Sequence, residues 1–134
     1  MNKLESEQAN IEEVTESDVK IDLDGMSMNA VETDENGVIG VDTIFIFKQS
    51  SGYVSAEYAG GKIRQGYLVG INSGTTFTFK YCQLETDGTL NGGESTCKLE
   101  YGDNGLLRIV ENFEWASRPG GGRNIIQEFS SLDE

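Results

Sequence analysis

The sequence predicts an all-β domain, an eight-stranded antiparallel up-and-down barrel, and three observations predict it. Seventeen glycines stand against a single proline, a balance suited to strands joined by tight turns. Apolar and polar residues alternate: Phe77, Phe79, Tyr81 and Gln83 share one face of a strand, with Thr76, Thr78 and Lys80 on the other. Turn signals recur so closely that no crossover helix fits between strands, which leaves an antiparallel meander. Eight such strands close into a barrel whose interior is either filled by side chains or holds one small ligand.

Taken in order, the first strand is expected from Met26 to Glu32, ending in a turn over Thr33 to Gly37 where Asn36-Gly37 is the signal. Val41 to Gln49 follows and is apolar on both faces, Ile44 and Ile46 opposing Phe45 and Phe47. Its outer side therefore needs a cover, supplied by a homo-oligomer partner or by the N-terminal extension. Ser50-Ser51-Gly52 turns into Tyr53 to Ala59, and Gly60-Gly61 into Lys62 to Ile71, where Gly66 and Gly70 mark a bulge, a bend or a close approach. Asn72-Ser73-Gly74 leads to Thr75 to Leu84, and Asp87-Gly88 to Thr89 to Leu99, with a bulge expected at Gly92-Gly93. Leu106 to Ala116 is the seventh strand, and a loop from Ser117 to Arg123 delivers the last, Asn124 to Phe129.

A chain of 134 residues suits one domain with a real core. Residues 1–24 carry eight acidic side chains against Lys3 and Lys20 and read as a mobile acidic extension, with the barrel over 25–130. The net charge of −13 repels phosphate backbones and anionic lipid, which argues against nucleic acid and membrane as partners. No apolar run approaches a membrane span or a secretory signal, so a cytoplasmic location is expected. In that setting Cys82 and Cys97 are expected as free thiols, although the pairing of their strands leaves a disulfide open. The absence of histidine removes the commonest general base and transition-metal ligand, and no cofactor is called for.

The runs VSAEYAGGKIRQGYLVG, FTFKYCQLETDGTLNGGES and GLLRIVENFEWAS, followed by NIIQEF, resemble a family of small bacterial proteins described as avidin-like. The likeness spans roughly residues 41 to 129 and rests on a glycine pair before a G-x-L-x-G strand, an aromatic strand ending in Tyr-x-Gln, and a late E-x-x-x-W. It implies an up-and-down barrel of avidin or wider calycin type with a binding cavity at one mouth. It implies no particular ligand, biotin included, and so no ligand residues. Members also often carry the label N-acetylglutamate synthase. Acetyl-coenzyme A transfer of the usual kind needs a pyrophosphate loop at a helix N-terminus, whereas the loop from Ser117 to Arg123 opens onto a strand.

If the Phe77, Phe79, Tyr81, Gln83 face points inward, the matching row on the seventh strand is Leu107, Ile109, Glu111, Phe113 and Trp115. Glu111 then lies within an apolar row and must be hydrogen-bonded or protonated. Either it bonds a Tyr or Arg across the barrel, or it orients a ligand with a raised pKa. Trp115, near the rim, either plugs the core or stacks on a ligand ring. Gln83, Tyr81 and Tyr58 either fix a ligand's orientation or are ordinary half-buried strand residues. On the last strand Ile125, Gln127 and Phe129 are expected to form the core face, leaving Glu128 in solvent. Asp34 to Gly37 and Asp103 to Gly105 lack the downstream glutamate of a calcium loop and read as turns. The leading expectation is a non-enzymatic barrel holding a small hydrophobic or aromatic molecule against Tyr58, Phe77, Phe79, Tyr81, Phe113 and Trp115, anchored by Glu111 and Gln83. The alternatives are an oligomer-forming barrel with a filled core and, remotely, an acyltransferase.

Overall fold

The computed structural model describes residues 21–129. Every regular element among them is a strand: β1 (Ser27–Glu32), β2 (Ile44–Ser50), β3 (Tyr53–Gly60), β4 (Ile63–Asn72), β5 (Thr76–Glu85), β6 (Leu90–Tyr101), β7 (Leu107–Trp115) and β8 (Gly121–Glu128). Each pairs antiparallel with the next, and β8 pairs with β1, closing the barrel. The predicted fold and strand order are those of the structure.

The turns follow the local chemistry with one exception. Gly60 and Gly61 both take positive φ, at 116° and 65°, and a Cβ on Gly60 would strike the Asp42 carbonyl. At the Ser50–Gly52 hairpin the positive φ, 59°, falls on Ser51 rather than on the glycine. Gly92-Gly93 forms no bulge: Gly92 stays opposite Cys82 and Gly93 opposite Tyr81 in regular register. The register shifts lie instead at Ala30/Glu32, Tyr58/Gly60 and Ile63/Gln65. Gly66 and Gly70 serve close approach. Gly66 faces Tyr58 across the β3–β4 pair, where a Cβ would run into the Tyr58 ring, and Gly70 is crowded by Phe79.

Two elements differ from their expected bounds. β2 begins at Ile44, and Val41 belongs to the preceding connection, 64% exposed. The outer side of β2 is not covered among the described residues, since Ile46 is 54% exposed. β8 begins at Gly121, because Gly121 and Gly122 pair with Glu114 and Phe113 rather than looping. Its inward row is Asn124, Ile126 and Glu128, opposite Glu111, Ile109 and Met28, which reverses the predicted parity. Consecutive isoleucines at 125 and 126 left the alternation ambiguous, and both are buried. Glu128 is half-buried, and its Oε1 accepts a hydrogen bond from the Leu107 amide at 2.6 Å.

The floor of the barrel is sealed by the segment before β1. Leu23 is fully buried among the core side chains, its amide donates to Gln49 Oε1 at 3.1 Å, and Asn72 Nδ2 donates to the Ile21 carbonyl at 2.6 Å. The barrel unit thus takes in Ile21 to Asp24, and residues 1–20 of the expected extension lie outside the described residues. Above this floor Phe47 and Phe77 meet edge to face, with ring centroids 6.4 Å apart, and the apolar core rises from there.

Candidate functional site beneath the β1–β2 connection

At the opposite mouth the connection between β1 and β2, residues 33–43, crosses the opening. Val38 and Ile39 turn down from it and pack on the core. Beneath them lies a space lined by Phe45, Tyr58, Phe79, Tyr81, Gln83, Glu111, Phe113, Trp115 and Asn124. With the connection in place, about 20 Å3 remains open, room for one water rather than an organic ligand. The structure therefore gathers seven of the eight predicted site residues. Phe77 is not in that lining: two residues nearer the floor, it belongs to the lower core and packs on Phe79 with ring centroids 5.0 Å apart.

Glu111 sits in the wall, 5% exposed, between Cys97 on β6 and Asn124 on β8. Its partners are neither Tyr nor Arg. Ser95 Oγ donates to Oε2 at 2.6 Å and Asn124 Nδ2 to Oε1 at 3.0 Å. The Asn124 amide is fixed in that sense because its Oδ1 accepts the Asp34 N–H at 3.0 Å, tying the carboxyl to the connection overhead. Burial pushes the Glu111 pKa above the ordinary carboxylate value, and the bonds from Ser95 and Asn124 offset part of that rise. Burial also raises Tyr58, Tyr81 and the buried Cys97 thiol, with the Glu111 charge adding to each.

A second polar chain runs round the rim. Tyr58 Oη donates to Gln83 Oε1 at 2.9 Å, and Gln83 Nε2 to Glu85 Oε2 at 2.9 Å. Asn91 Nδ2 donates to the same oxygen at 2.8 Å, and Ser117 Oγ to Asn91 Oδ1 at 2.7 Å. Tyr58 itself stacks on Phe45 with centroids 4.6 Å apart, held in the room that Gly66 leaves. Tyr81 differs: its hydroxyl is buried and has no hydrogen-bond partner, and it occupies space kept free by Gly93. An unpaired buried hydroxyl carries a desolvation cost of about 1–3 kcal/mol.

Trp115 is 7% exposed and packs edge to face with Tyr81 and Phe113. Its Nε1 donates to the Asn36 carbonyl at 2.9 Å, and Arg118 Nη2 donates to the same oxygen at 3.0 Å while its guanidinium lies 4.6 Å from the indole centroid. The tryptophan thus plugs the rim and clasps the connection. Sequence reasoning missed Val38, Ile39, Phe45, Ser95 and Asn124. Ser95 was signalled by its parity with Cys97 and Leu99, whereas Asn124 required the β7–β8 register.

Cys82 and Cys97 are free thiols. They sit on opposite faces of the sheet, Cys82 exposed opposite Gly92 and Cys97 buried opposite Phe77, so the sheet lies between them.

No curated protein and no solved structure matches the chain. Residues 21–129, from the floor segment through the last strand, match the family model described as avidin-like protein, and the chain therefore belongs to the avidin-like family.

Proposed function

We propose that the protein binds a small hydrophobic or aromatic molecule inside the barrel, without catalysing a reaction, and that the β1–β2 connection gates the site. One observation carries this reading: beside the Trp115 ring at the rim, the mouth is closed by Val38 and Ile39 of a connecting segment. A strand residue cannot leave without breaking the sheet, whereas a connection can swing away. The ligand takes the place of those two side chains against Phe79, Phe113 and Trp115, and Tyr81 Oη, Gln83 and Glu111 supply the few polar contacts that orient it. Membership of the avidin-like family supports small-molecule binding by the barrel.

The test uses Trp115, the chain's single tryptophan, as reporter. A Val38→Ala/Ile39→Ala variant should bind the neutral dye N-phenylnaphthylamine with energy transfer from Trp115, and toluene should displace the dye. A folded variant that excludes the dye as fully as the parent would sink the reading.

A second reading, an assembly module with a filled core, is favoured by the outer wall. Tyr53, Val69 and Ile71 are each more than half exposed around a cleft of about 910 Å3 on the outside of β2 to β5, and Tyr67, exposed to a similar degree, lines the neighbouring hollow with Val69. The centre of the cleft is on β3 and β4, to one side of the strand first expected to be covered.

A further inference from the structure

Six aromatic rings and one carboxylate line the enclosed space: Phe45, Tyr58, Phe79, Tyr81, Phe113, Trp115 and, among them, Glu111. No lysine or arginine shares that lining; Arg118 is exposed at the rim, 4.6 Å from the Trp115 ring centroid, and its charge reaches Tyr81 only as a minor influence beside burial and Glu111. Both donors to Glu111, the Ser95 hydroxyl and the Asn124 amide, are neutral, so an ionised Glu111 has no counter-charge within the site. Each of its oxygens accepts one bond in the closed state and has a lone pair to spare. The unpartnered Tyr81 hydroxyl adds a further acceptor. Aromatic faces are negative and attract cations, most strongly where water is excluded. The field of a chain with net charge −13 has the same sign.

We infer that the ligand of this site is a small organic cation, an ammonium or amidinium on a compact apolar body, with Glu111 as its counter-charge and the rings as its walls. The inference rests on the gated-binding reading and deepens it. An N–H donor group satisfies Glu111 and the Tyr81 hydroxyl together, while the apolar body takes the place of Val38 and Ile39. The unpaired burial that raises the Glu111 pKa is relieved by such a ligand and by no anion.

Three isosteric probes separate charge from shape: benzamidine, benzamide and benzoate, titrated calorimetrically into the intact parent chain and the Val38→Ala/Ile39→Ala variant, each with and without Glu111→Gln. Benzamidine should bind at least about tenfold more tightly than benzamide, and benzoate should not bind. Glu111→Gln should erase that preference by weakening benzamidine far more than benzamide. Benzamide or benzoate binding as well as benzamidine would overturn the cation assignment and leave gated binding standing. A preference that survives Glu111→Gln would overturn it too, by placing the cation on the acidic exterior. If the three probes and the neutral dye all fail to enter the lid variant, gated binding falls and the cation assignment with it. Should Glu111→Gln not fold, displacement of N-phenylnaphthylamine from the Val38→Ala/Ile39→Ala variant decides: benzamidine should displace the dye at lower concentration than benzamide, and tight benzamidine binding that leaves the dye in place would overturn the assignment.

Discussion

Glu111 is the residue at which fold and site make opposing demands. The barrel buries it, which lifts its pKa above the ordinary value of 4.5, and the bonds from its two neutral donors offset only part of that rise. The consequence for stability has a definite sign. Above pH 4.5 the unfolded chain releases this proton while the native protein keeps it, so the contribution of Glu111 to stability falls as pH rises toward its folded pKa. The slope from this one proton reaches about 1.4 kcal/mol per pH unit at most. Glu111→Gln keeps the shape and an oxygen for Asn124, but it cannot titrate. Urea unfolding across the acid-to-neutral range should show the variant gaining on the parent with rising pH and levelling off above the folded pKa; parallel curves would contradict the assignment. That Glu111 interrupts an apolar row was legible from the alternation of β7 alone. Its partners were not, since Ser95 and Asn124 reach it only through the registers of two strand pairs, which depend on turns and bulges elsewhere.

The connection over residues 33–43 is tied down by polar contacts near its two ends. At the first, the Asp34 amide bonds Asn124, Asp34 Oδ2 accepts from the Arg123 amide, Asn36 Nδ2 bonds the Gly121 carbonyl, and the Asn36 carbonyl receives Trp115 and Arg118; at the second, the Val41 carbonyl accepts from Asn29 Nδ2 and Thr43 Oγ1 bonds the Gly60 carbonyl. Opening it breaks these and exposes Val38 and Ile39, but leaves every ladder of the barrel intact. Its amides should therefore exchange with solvent through local opening, far faster than those of β5 and β6. Trp115→Phe keeps an aromatic ring and removes one bond to Asn36, a contribution of about 1 kcal/mol. Exchange in residues 33–43 should then quicken several-fold, with β5 and β6 protected as before. Equal acceleration across all strands would instead make Trp115 a general core residue. Asn36-Gly37 was recognisable as a turn, but the segment after it was not recognisable as a lid. Val41 reads as the start of the second strand and Val38 and Ile39 only as the link before it, because β-branched side chains do not say whether they pack as plug or ladder; only tertiary packing does.

At the scale of the whole molecule, eight strands and their antiparallel order followed from turn spacing, because links too short for crossovers allow little else. How the outer wall is used did not follow, since sequence alternation says which residues face outward and not what meets them. That wall combines exposed Tyr53, Tyr67, Val69 and Ile71 with Lys48 and Lys80 at the margin of the cleft, on a chain of net charge −13. Two copies meeting through this face gain from apolar burial and lose from the repulsion of their total charges. Salt screens the second and not the first, because the Debye length falls from about 30 Å at 0.01 M to about 8 Å at 0.15 M. Sedimentation should accordingly show self-association that strengthens as salt is raised. Val69→Lys sets a third cation beside Lys48 and Lys80 on both copies, at an outward position where the barrel itself is untouched. It should abolish the association and leave circular dichroism and thermal unfolding of the monomer unchanged. Association that weakens with salt, or survives Val69→Lys, would move the contact to a charged surface elsewhere, and a monomer at every salt concentration would remove the assembly reading altogether.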